Sequence, residues 1–213
     1  MPQCVHKTVP ELKEDNIDVR CKEGKIIAVL KPLNTKVLSL VEDFAAPMTV
    51  WRNKAMGFFK TGFIATTERT ISWLKNSVIP ADNKLLFLIY VEDNLIGHFG
   101  LCNITSESAE LDNAIRGEKG GKSDLFDYVE NTILKIAFDE LKVRCIYGRL
   151  FSNNFPAMSL HKRLGFIENS RSPLKLVKNQ TEWEYIECSP EEANVRFQYI
   201  ELILTRDNFK PFN

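Results

Sequence analysis

Residues 116–123, RGEKGGKS, bring two adjacent glycines together with lysines and a serine, a composition typical of loops that bind phosphate. A nucleoside triphosphate loop needs the pattern G-x-x-x-x-G-K-[ST], in which backbone N–H groups surround the phosphates. Residues 121–123, GKS, complete that pattern, but Arg116 stands where the opening glycine belongs and Gly117 comes one residue later. Downstream, no apolar strand ends in an aspartate that would hold Mg²⁺. These departures argue against an ATP site.

The position of this octet favours an anion site of another kind. Before it, SAELDNAI (108–115) alternates polar and apolar residues as a strand does. After it, SDLFDYVENTILKIAFDEL (123–141) repeats apolar residues on one face of a helix. A loop at a helix N-terminus offers unpaired N–H groups and the positive end of the helix dipole. The ligand would be a nucleotide phosphate or a cofactor pyrophosphate, and the alternative is a plain glycine-rich turn.

Composition excludes several classes of protein. The 213 residues carry 28 basic and 28 acidic side chains, so no net charge points to nucleic acid or an anionic membrane. Five scattered cysteines and three scattered histidines predict neither a disulfide framework nor a metal site. The N-terminus lacks a signal-peptide pattern, and the longest apolar run, residues 85–91, is too short to span a bilayer. We therefore expect a cytoplasmic protein with no nucleic-acid or membrane partner.

The elements around the octet predict one α/β (α+β) domain over residues 1–213, in which residues 1–33 form an N-terminal extension and a first strand, KIIAVL (25–30). We expect residues 36–59 to be partly helical and interrupted at Pro47. The order after residue 85 is β-β-β-loop-α-β-α-β, with residues 167–198 inserted before the last strand. The patterns predict these further elements: a helix at 66–76, two strands joined by a turn at 92–94, strands at 144–151 and 199–205, a turn at NNFP (153–156) and a short helix ending at Gly165.

Two further motifs follow the octet in a fixed order. Asn154 and Ala157 form N-x-x-A, and the short helix after them ends in LGF (164–166). Together with Arg116 and the glycine pair at 120–121, they make residues 34–168 resemble the GNAT superfamily of CoA-dependent N-acyltransferases. In that family a Q/R-x-x-G-x-G/A loop binds the CoA pyrophosphate. The family glycine would stand at position 119, which holds a lysine here, so the loop register differs.

The resemblance implies a GNAT fold, with a central mixed, mostly antiparallel twisted sheet flanked by helices. It implies acyl-CoA, either acetyl-CoA or 3-hydroxyacyl-CoA, as co-substrate, with no metal. It also implies cofactor-binding residues at the strand end, in the loop and on the short helix: Asn113, Ala114, Ile115, Arg116, Gly117, Gly120, Gly121, Lys122, Ser123, Asn154 and Lys162.

The chemistry implied is direct attack of an amine on the thioester carbonyl. It requires N–H donors for the oxyanion, which the resemblance places near Asn113, and a base for the ammonium proton. Candidate bases are His98, Glu110 and Asp112, the last two on one face of a strand because side chains alternate there. His161 occupies the position where the family often has a tyrosine that protonates the leaving thiolate. The alternative for His98 and for His161 is a histidine with a structural role only.

The acceptor is suggested by a second resemblance. The sequences WRN (51–53), IGHFGLCN (96–103) and ELDNAIRGE (110–118) are similar to those of GNAT enzymes that acylate dTDP-linked 3-amino-3,6-dideoxyhexoses for surface polysaccharides. The resemblance implies that Trp51, Arg52, Asn53 and Phe63 bind the substrate, although a lone helical Trp is more often core. It implies a homodimer, with residues 167–198 capping the sugar site or building the dimer face. The alternatives are a protein N-terminal acetyltransferase of the ribosomal-protein type and a non-catalytic acyl-CoA-binding module.

Overall fold

The structure, a computed structural model, describes residues 7–212, so Cys4 and His6 lie outside it. Its strands are β1 (Ile17–Arg20), β2 (Ile26–Pro32), β3 (Thr61–Gly62), β4 (Leu85–Val91), β5 (Asn94–Cys102), β6 (Ser108–Arg116), β7 (Cys145–Phe151), β8 (Ile167–Ser172), β9 (Leu174–Lys178), β10 (Trp183–Glu187) and β11 (Tyr199–Thr205). The main sheet has the order β1-β2-β4-β5-β6-β7-β11-β8, and a small sheet has the order β3-β10-β9. Main-sheet neighbours are antiparallel except β6 and β7, which are parallel. The predicted mixed, mostly antiparallel sheet is confirmed.

Helices cover both faces of this sheet. They are α1 (Val9–Leu12), α2 (Val41–Lys54), α3 (Thr67–Trp73), α4 (Leu125–Lys135) and α5 (Phe155–Arg163), with π-helical turns Leu74–Val78 and Ile136–Glu140 and 3-10 turns Thr35–Leu40, Met56–Phe58 and Arg206–Asn208. Alternate residues of β4 point to opposite faces, so Phe87 joins the core under α4 and Leu88 joins the core under α2. Two hydrophobic layers result, as in other α/β domains.

The parallel strands β6 and β7 separate along their length. Ser108 to Glu110 pair with Cys145 to Tyr147, and the pairing does not continue, although β6 runs on to Arg116 and β7 to Phe151. The helix α4 connects them and packs on one face. The sheet therefore has an opening between the second halves of its two central strands.

Two expectations about the first third of the chain are wrong. KIIAVL is the second strand, because the short segment IDVR forms β1 and pairs with it as the sheet edge. Pro47 does not interrupt the helix but lies inside α2, which runs unbroken to Lys54. A proline costs a helix interior ~3 kcal/mol, and the burial of Phe44 and Met48 on the same helix offsets that cost.

Two further expectations change in the last third. The turn predicted at NNFP lies slightly earlier, at Ser152 and Asn153, where the N–H of Asn154 donates to the oxygen of Phe151 at 2.9 Å. Asn154 caps α5, and the helix begins at Phe155. Residues 167–198 contain three strands where the predicted order had none: β8 completes the edge of the main sheet, and β9 and β10 form most of the small one. The pattern of β8 gives no period-2 signal, because this edge strand, IENSRS, is exposed along nearly its whole length.

Across residues 7–212, no helix is both long and apolar enough to cross a membrane. In the same part of the chain, His, Cys, Asp and Glu side chains do not gather in groups of three or more that would hold a metal ion.

Candidate active site

A β-bulge lies where β5 and β6 pair at the centre of the sheet. His98 is opposite Ile115 and Gly100 is opposite Asp112, so two residues of β6, Asn113 and Ala114, face one residue of β5. Asn113 has a φ of 53°, in the left-handed region where Asn is tolerated better than most residues. Bulges redirect the strand and its polar groups. The bulge thus lies at Asn113, near which the resemblance places the N–H donors for the oxyanion.

His98 holds this bulge from inside the sheet. The side chain is 2% exposed, and its Nδ1 lies 2.7 Å from the backbone oxygen of Asn113. Burial lowers the pKa of His98 to about 4, against a smaller opposing effect of the bond to Asn113. The ring is therefore neutral at pH 7, with the Nδ1 proton donated to the carbonyl and Nε2 left as an acceptor.

Asp112 is the carboxylate beside this histidine. Burial raises its pKa, and a hydrogen bond of 2.7 Å from Asn113 Nδ2 opposes the shift in part. A raised pKa moves a carboxylate toward the range in which it accepts a proton near neutral pH. Of the two groups, Asp112 is thus the stronger candidate base, and neutral His98 is better suited to accept a hydrogen bond.

Both groups line a cavity of about 400 Å³ between the sheet and helices α2 and α3. Its walls are mostly apolar and aromatic, with charged side chains at a few points, which is typical of ligand sites. The lining residues are Met48, Arg52, Phe59, Thr61, Phe63, Ala65, Arg69, Thr70, Trp73, His98, Asp112, Asn113 and Ile115.

Arg52 supplies a positive charge to this cavity. Its guanidinium lies over the ring of Phe59 at 3.8 Å and near that of Phe63 at 5.0 Å, and its Nη2 donates to the carbonyl of Thr61 at 2.8 Å. The Nη1 atom is buried, and no residue in the described part of the chain accepts its hydrogen bonds. A buried donor without a partner costs ~1–3 kcal/mol, so this atom is suited to an anionic ligand.

The sequence did not predict the second arginine of the cavity. Arg69 of α3 also lies over the ring of Phe63, with its guanidinium 4.0 Å from the centroid, and contacts Glu182 at 3.2 Å. Arg69 and Arg52 belong to different helices, and only the tertiary fold brings those helices together. The signal present in the sequence is a cationic residue on a helix that follows an aromatic segment.

The neighbours of Arg52 in the WRN motif do not face the cavity. Trp51 is 2% exposed within the α2 core, and its Nε1 donates to Glu118 at 2.9 Å. The amide of Asn53 exchanges two hydrogen bonds with the backbone of Ala65, at 2.9 and 3.0 Å. Consecutive helical residues point about 100° apart, so one of the three reaches the cavity. Trp51 and Asn53 therefore do not line this cavity, and each has a partner elsewhere in the protein.

Glu110 lies in a different cavity, of about 410 Å³, on the same face of the sheet. It forms an ion pair with Arg149 and accepts a hydrogen bond from Asn103 at 3.0 Å. Arg149 also contacts Glu201 at 2.7 Å. Because Glu110 is held by these partners away from His98, the structure does not support it as the base.

The loop after β6 is organised by the side chain of Arg116. Its guanidinium donates to the backbone oxygens of three loop residues, at distances of 2.6 to 3.1 Å: Gly120, Lys122 and Ser123. Carbonyls that converge on one guanidinium leave the intervening N–H groups free to face the other way, as in anion-binding nests. Gly121, with a φ of 65°, provides the left-handed turn that this arrangement needs.

Gly117 is not part of that arrangement. Its N–H donates to the oxygen of Ile96 at 2.8 Å, and a Cβ at this position would lie 1.9 Å from Trp51 Cδ2. The absence of a side chain at Gly117 therefore allows the tryptophan to pack against the loop.

The predicted residues of α5 have separate environments. Asn154 caps the helix through its side chain, which accepts from the N–H of Ala157 at 3.4 Å, and Lys162 is exposed. His161, by contrast, is buried and contacts the buried carboxylate of Glu130 at 2.7 Å. The sequence offered no signal for this pair, since a mid-helix Glu is ordinarily on the solvent side.

Comparisons with known proteins show the family and the fold of the chain. The family described as an acetyltransferase (GNAT) domain matches residues 41–185. Two relatives from Campylobacter jejuni strains, each named Acetyltransferase PseH, are 29% and 32% identical over 118 and 119 residues, which is 54% of this chain and 72% of theirs. A solved structure of a probable GNAT-family acetyltransferase from Chromobacterium violaceum superposes with a TM-score of 0.64 at 16% identity and covers 90% of this chain and 87% of its own.

Proposed function

As the chain belongs to the GNAT acetyltransferase family, whose members use acetyl-CoA as co-substrate, we propose that it acylates the amine of a nucleotide-linked amino sugar. The observation that carries this proposal is that one cavity is lined by Arg52, whose Nη1 has no hydrogen-bond partner among residues 7–212, by aromatic rings and by Asp112. The acceptor class itself comes from the resemblance of the WRN and ELDN segments.

The two ends of the cavity suit the two ends of such an acceptor. A diphosphate would bind the guanidinium groups of Arg52 and Arg69, because delocalised cations match phosphate oxygens. A base or sugar ring would stack on Phe63 or Phe59, which already sandwich the charge of Arg52. The amine would then extend toward Asp112.

The donor would enter from the opening between β6 and β7. Its pyrophosphate would meet the N–H groups of the loop that Arg116 orders, and its thioester would lie beside the bulge at Asn113. N–H groups of the bulged strand, from Asn113 to Ile115, would stabilise the oxyanion that forms when the amine attacks the carbonyl. Asp112 would take the proton from the ammonium, directly or through water.

Several finer features belong to the same proposal. The acyl group is acetyl or a hydroxyacyl chain such as 3-hydroxybutyryl, and the reaction takes place in the cytoplasm in surface-polysaccharide synthesis. The enzyme acts as a homodimer, for which the unpaired outer edge of β8 with its exposed Ile167 is a candidate contact. Light scattering of the purified protein measures its oligomeric state directly.

A substrate panel tests the reaction. Acetyl-CoA and 3-hydroxybutyryl-CoA are combined with nucleotide-linked amino sugars, with free amino sugars and with peptides bearing free N-termini, and products are identified by mass. We expect acylation of the nucleotide-linked sugars alone. Acylated peptides would establish the protein N-terminal acetyltransferase instead, and CoA binding without any product would establish a binding module.

A matched pair of variants links the result to the cavity. Arg52→Ala should reduce turnover of the nucleotide-linked acceptor far more than that of the free amino sugar. Arg144→Gln, which removes an exposed ion pair with Glu107 on a distant loop, should change neither. Equal losses with both acceptors in Arg52→Ala would show that the arginine does not bind the nucleotide part.

A further inference from the structure

Helices α4 and α5 bury a histidine and a glutamate against each other. His161 of α5 is 6% exposed and Glu130 of α4 is 0% exposed, with 2.7 Å between Nδ1 and Oε1. Few glutamates are fully buried, and those that are generally have paired charges. This contact joins two elements that lie 31 residues apart in the chain.

The pair lies where the two central strands separate. Their pairing ends at Glu110 and Tyr147, and the next residue of β7 is Gly148. A methyl group on Gly148 would contact Leu111 Cδ1 at 3.7 Å and His161 Cδ2 at 3.8 Å. The imidazole is thus at the apex of the opening through which the donor would enter.

The carboxylate of Glu130 is not fully satisfied. Oε1 contacts His161, whereas Oε2 is buried without a hydrogen-bond partner among residues 7–212. A buried carboxylate with one partner is poor for stability, because desolvation costs several kcal/mol per ion and a single contact repays little of it. Groups kept at such a cost concentrate at functional sites.

We propose that Glu130 is a positioning residue for His161, holding the Nδ1 proton so that Nε2–H protonates the sulfur of departing CoA. The inference rests on the proposed function, since it assigns the proton donor of that same reaction. A carboxylate on one imidazole nitrogen fixes the tautomer and the ring orientation, and its negative charge stabilises the imidazolium.

The step balances as follows. The acceptor nitrogen forms a bond to the thioester carbon, the C–S bond breaks, and sulfur leaves with the electron pair. That sulfur takes the Nε2 proton of the His161 imidazolium to give the free thiol, while the base removes one proton from the acceptor nitrogen. Solvent returns a proton to the imidazole and accepts the proton held by the base after the products leave, so the net reaction is amine plus thioester to amide plus thiol.

Among the described residues, Glu130 is the charged group that contacts the His161 ring. Asp127, one turn earlier on α4, is paired with Arg163 of α5, and Lys162 is exposed. The other neighbours are Gly148 of the sheet and Phe166, whose ring centroid is 5.3 Å from that of the imidazole.

A first experiment does not depend on the reaction. Two-bond ¹H–¹⁵N correlation spectra of the labelled protein, assigned with His161→Gln, report which ring nitrogen of His161 carries a proton. We expect a proton on Nδ1 in the folded protein, because Nδ1 lies 2.7 Å from the Glu130 carboxylate. A proton on Nε2 alone would mean that Glu130 is itself the donor of the contact, and would overturn the proposal even if the enzyme proves active.

A second experiment measures kcat and KM for Glu130→Gln, with whichever acceptor the panel identifies. Loss of the carboxylate that holds His161 should lower kcat about tenfold, with KM for acetyl-CoA unchanged. Asp127→Asn removes a carboxylate from the same helix and should leave kcat at the wild-type value. A Glu130→Gln enzyme with wild-type kcat would show a purely structural carboxylate.

The double variant separates a positioning role of Glu130 from a purely structural one. His161→Tyr supplies a proton donor that Glu130 does not orient, so adding Glu130→Gln to it should cause no further loss of kcat. A loss of the same size in both backgrounds would contradict the proposal. If the wild-type protein acylates no amine at all, the proposed function fails, and the spectra still decide whether Glu130 holds His161.

Discussion

His98 Nδ1 lies 2.7 Å from the backbone oxygen of Asn113, so a side chain of one central strand holds the bulge of its neighbour. The same bulge carries the side-chain amide of Asn113, which donates to Asp112 at 2.7 Å. One short hydrogen-bonded chain therefore links the histidine, the strained residue and the carboxylate. In this arrangement Asp112 is the stronger candidate base and His98 is a hydrogen-bonding partner, a division that the residue types alone left open.

Asp112→Asn should lower kcat about a hundredfold and raise thermal stability at pH 7. The loss of activity follows from removing the base. The gain in stability follows because burial raises the pKa of Asp112 above its unfolded value, so its ionised form is disfavoured in the folded state.

The pH dependence provides the check on Asp112. Because the pKa of Asp112 is raised in the folded state, its contribution to stability is present at low pH and is lost as the pH rises through that pKa. The melting temperatures of wild type and Asp112→Asn should therefore differ least in acid. As the pH is lowered, the activity of the wild type should begin to fall at a pH above about 3.9, the ordinary pKa of an aspartate. Melting temperatures and rates measured from pH 4 to 8 test both, and an Asp112→Asn protein with wild-type kcat excludes it as the base.

His98→Gln should cost less activity than Asp112→Asn and should change stability in acid. With a pKa of about 4 in the folded protein and about 6.5 unfolded, His98 binds more protons in the unfolded chain between those values. Wild-type stability should therefore fall as pH drops from 6.5 to 4, by up to about 3 kcal/mol, and less in the variant. Urea unfolding at several pH values measures this, and parallel curves for the two proteins would contradict it.

Arg52→Lys should raise KM for the nucleotide-linked acceptor about tenfold or more, nearly as much as Arg52→Ala. A lysine keeps the charge but cannot lie flat between Phe59 and Phe63 or present the free Nη1. Steady-state kinetics at saturating acetyl-CoA give the value. Full activity in the lysine variant would mean that charge alone, without the planar stack, binds the acceptor.

Arg116→Ala should raise KM for acetyl-CoA about tenfold with little change in kcat, because three loop carbonyls lose their donor and the N–H groups lose their orientation. S-acetylpantetheine, which has no pyrophosphate, is the matched control. Wild type and variant should use it equally well. A loss of the same size with both donors would place the effect in the strand and not in the phosphate loop.

Gly117→Ala should lower the melting temperature and leave the loop chemistry intact once folded. The added methyl group would lie 1.9 Å from Trp51 Cδ2, and relieving such an overlap typically costs ~1–3 kcal/mol. Thermal unfolding measures the change, and Gly57→Ala is the control because the space around that position is open. Equal melting temperatures for the two variants would mean that Trp51 moves freely.

Sequence patterns predicted the central elements well. The strands around 85–102 and 108–116, the helix that follows and the last strand are present where periodicity placed them. Periodicity failed at β8, whose residues are exposed at the sheet edge. The rule that proline interrupts a helix failed at Pro47, where the burial of α2 outweighed it. Both failures are cases of tertiary context overriding local preference.

The candidate site was predictable in its location and less so in its members. Arg52, Phe63, His98 and Asp112 do meet in one cavity. Trp51 and Asn53, on either side of Arg52, do not, because helical geometry sends adjacent residues in different directions. Arg69 and Glu130 had no motif, since their importance comes from what they contact.

The sequence by itself determined the central strands and helices from β4 to α5, the glycine-rich loop between β6 and α4, and the motifs that resemble a CoA-dependent acyltransferase. These depend on spacing over a few residues, which the chain states directly. The tertiary structure decided which polar groups share a cavity and which partners they have. Those properties depend on burial and on contacts distant in the chain, as His98 with Asn113 and Glu130 with His161 illustrate.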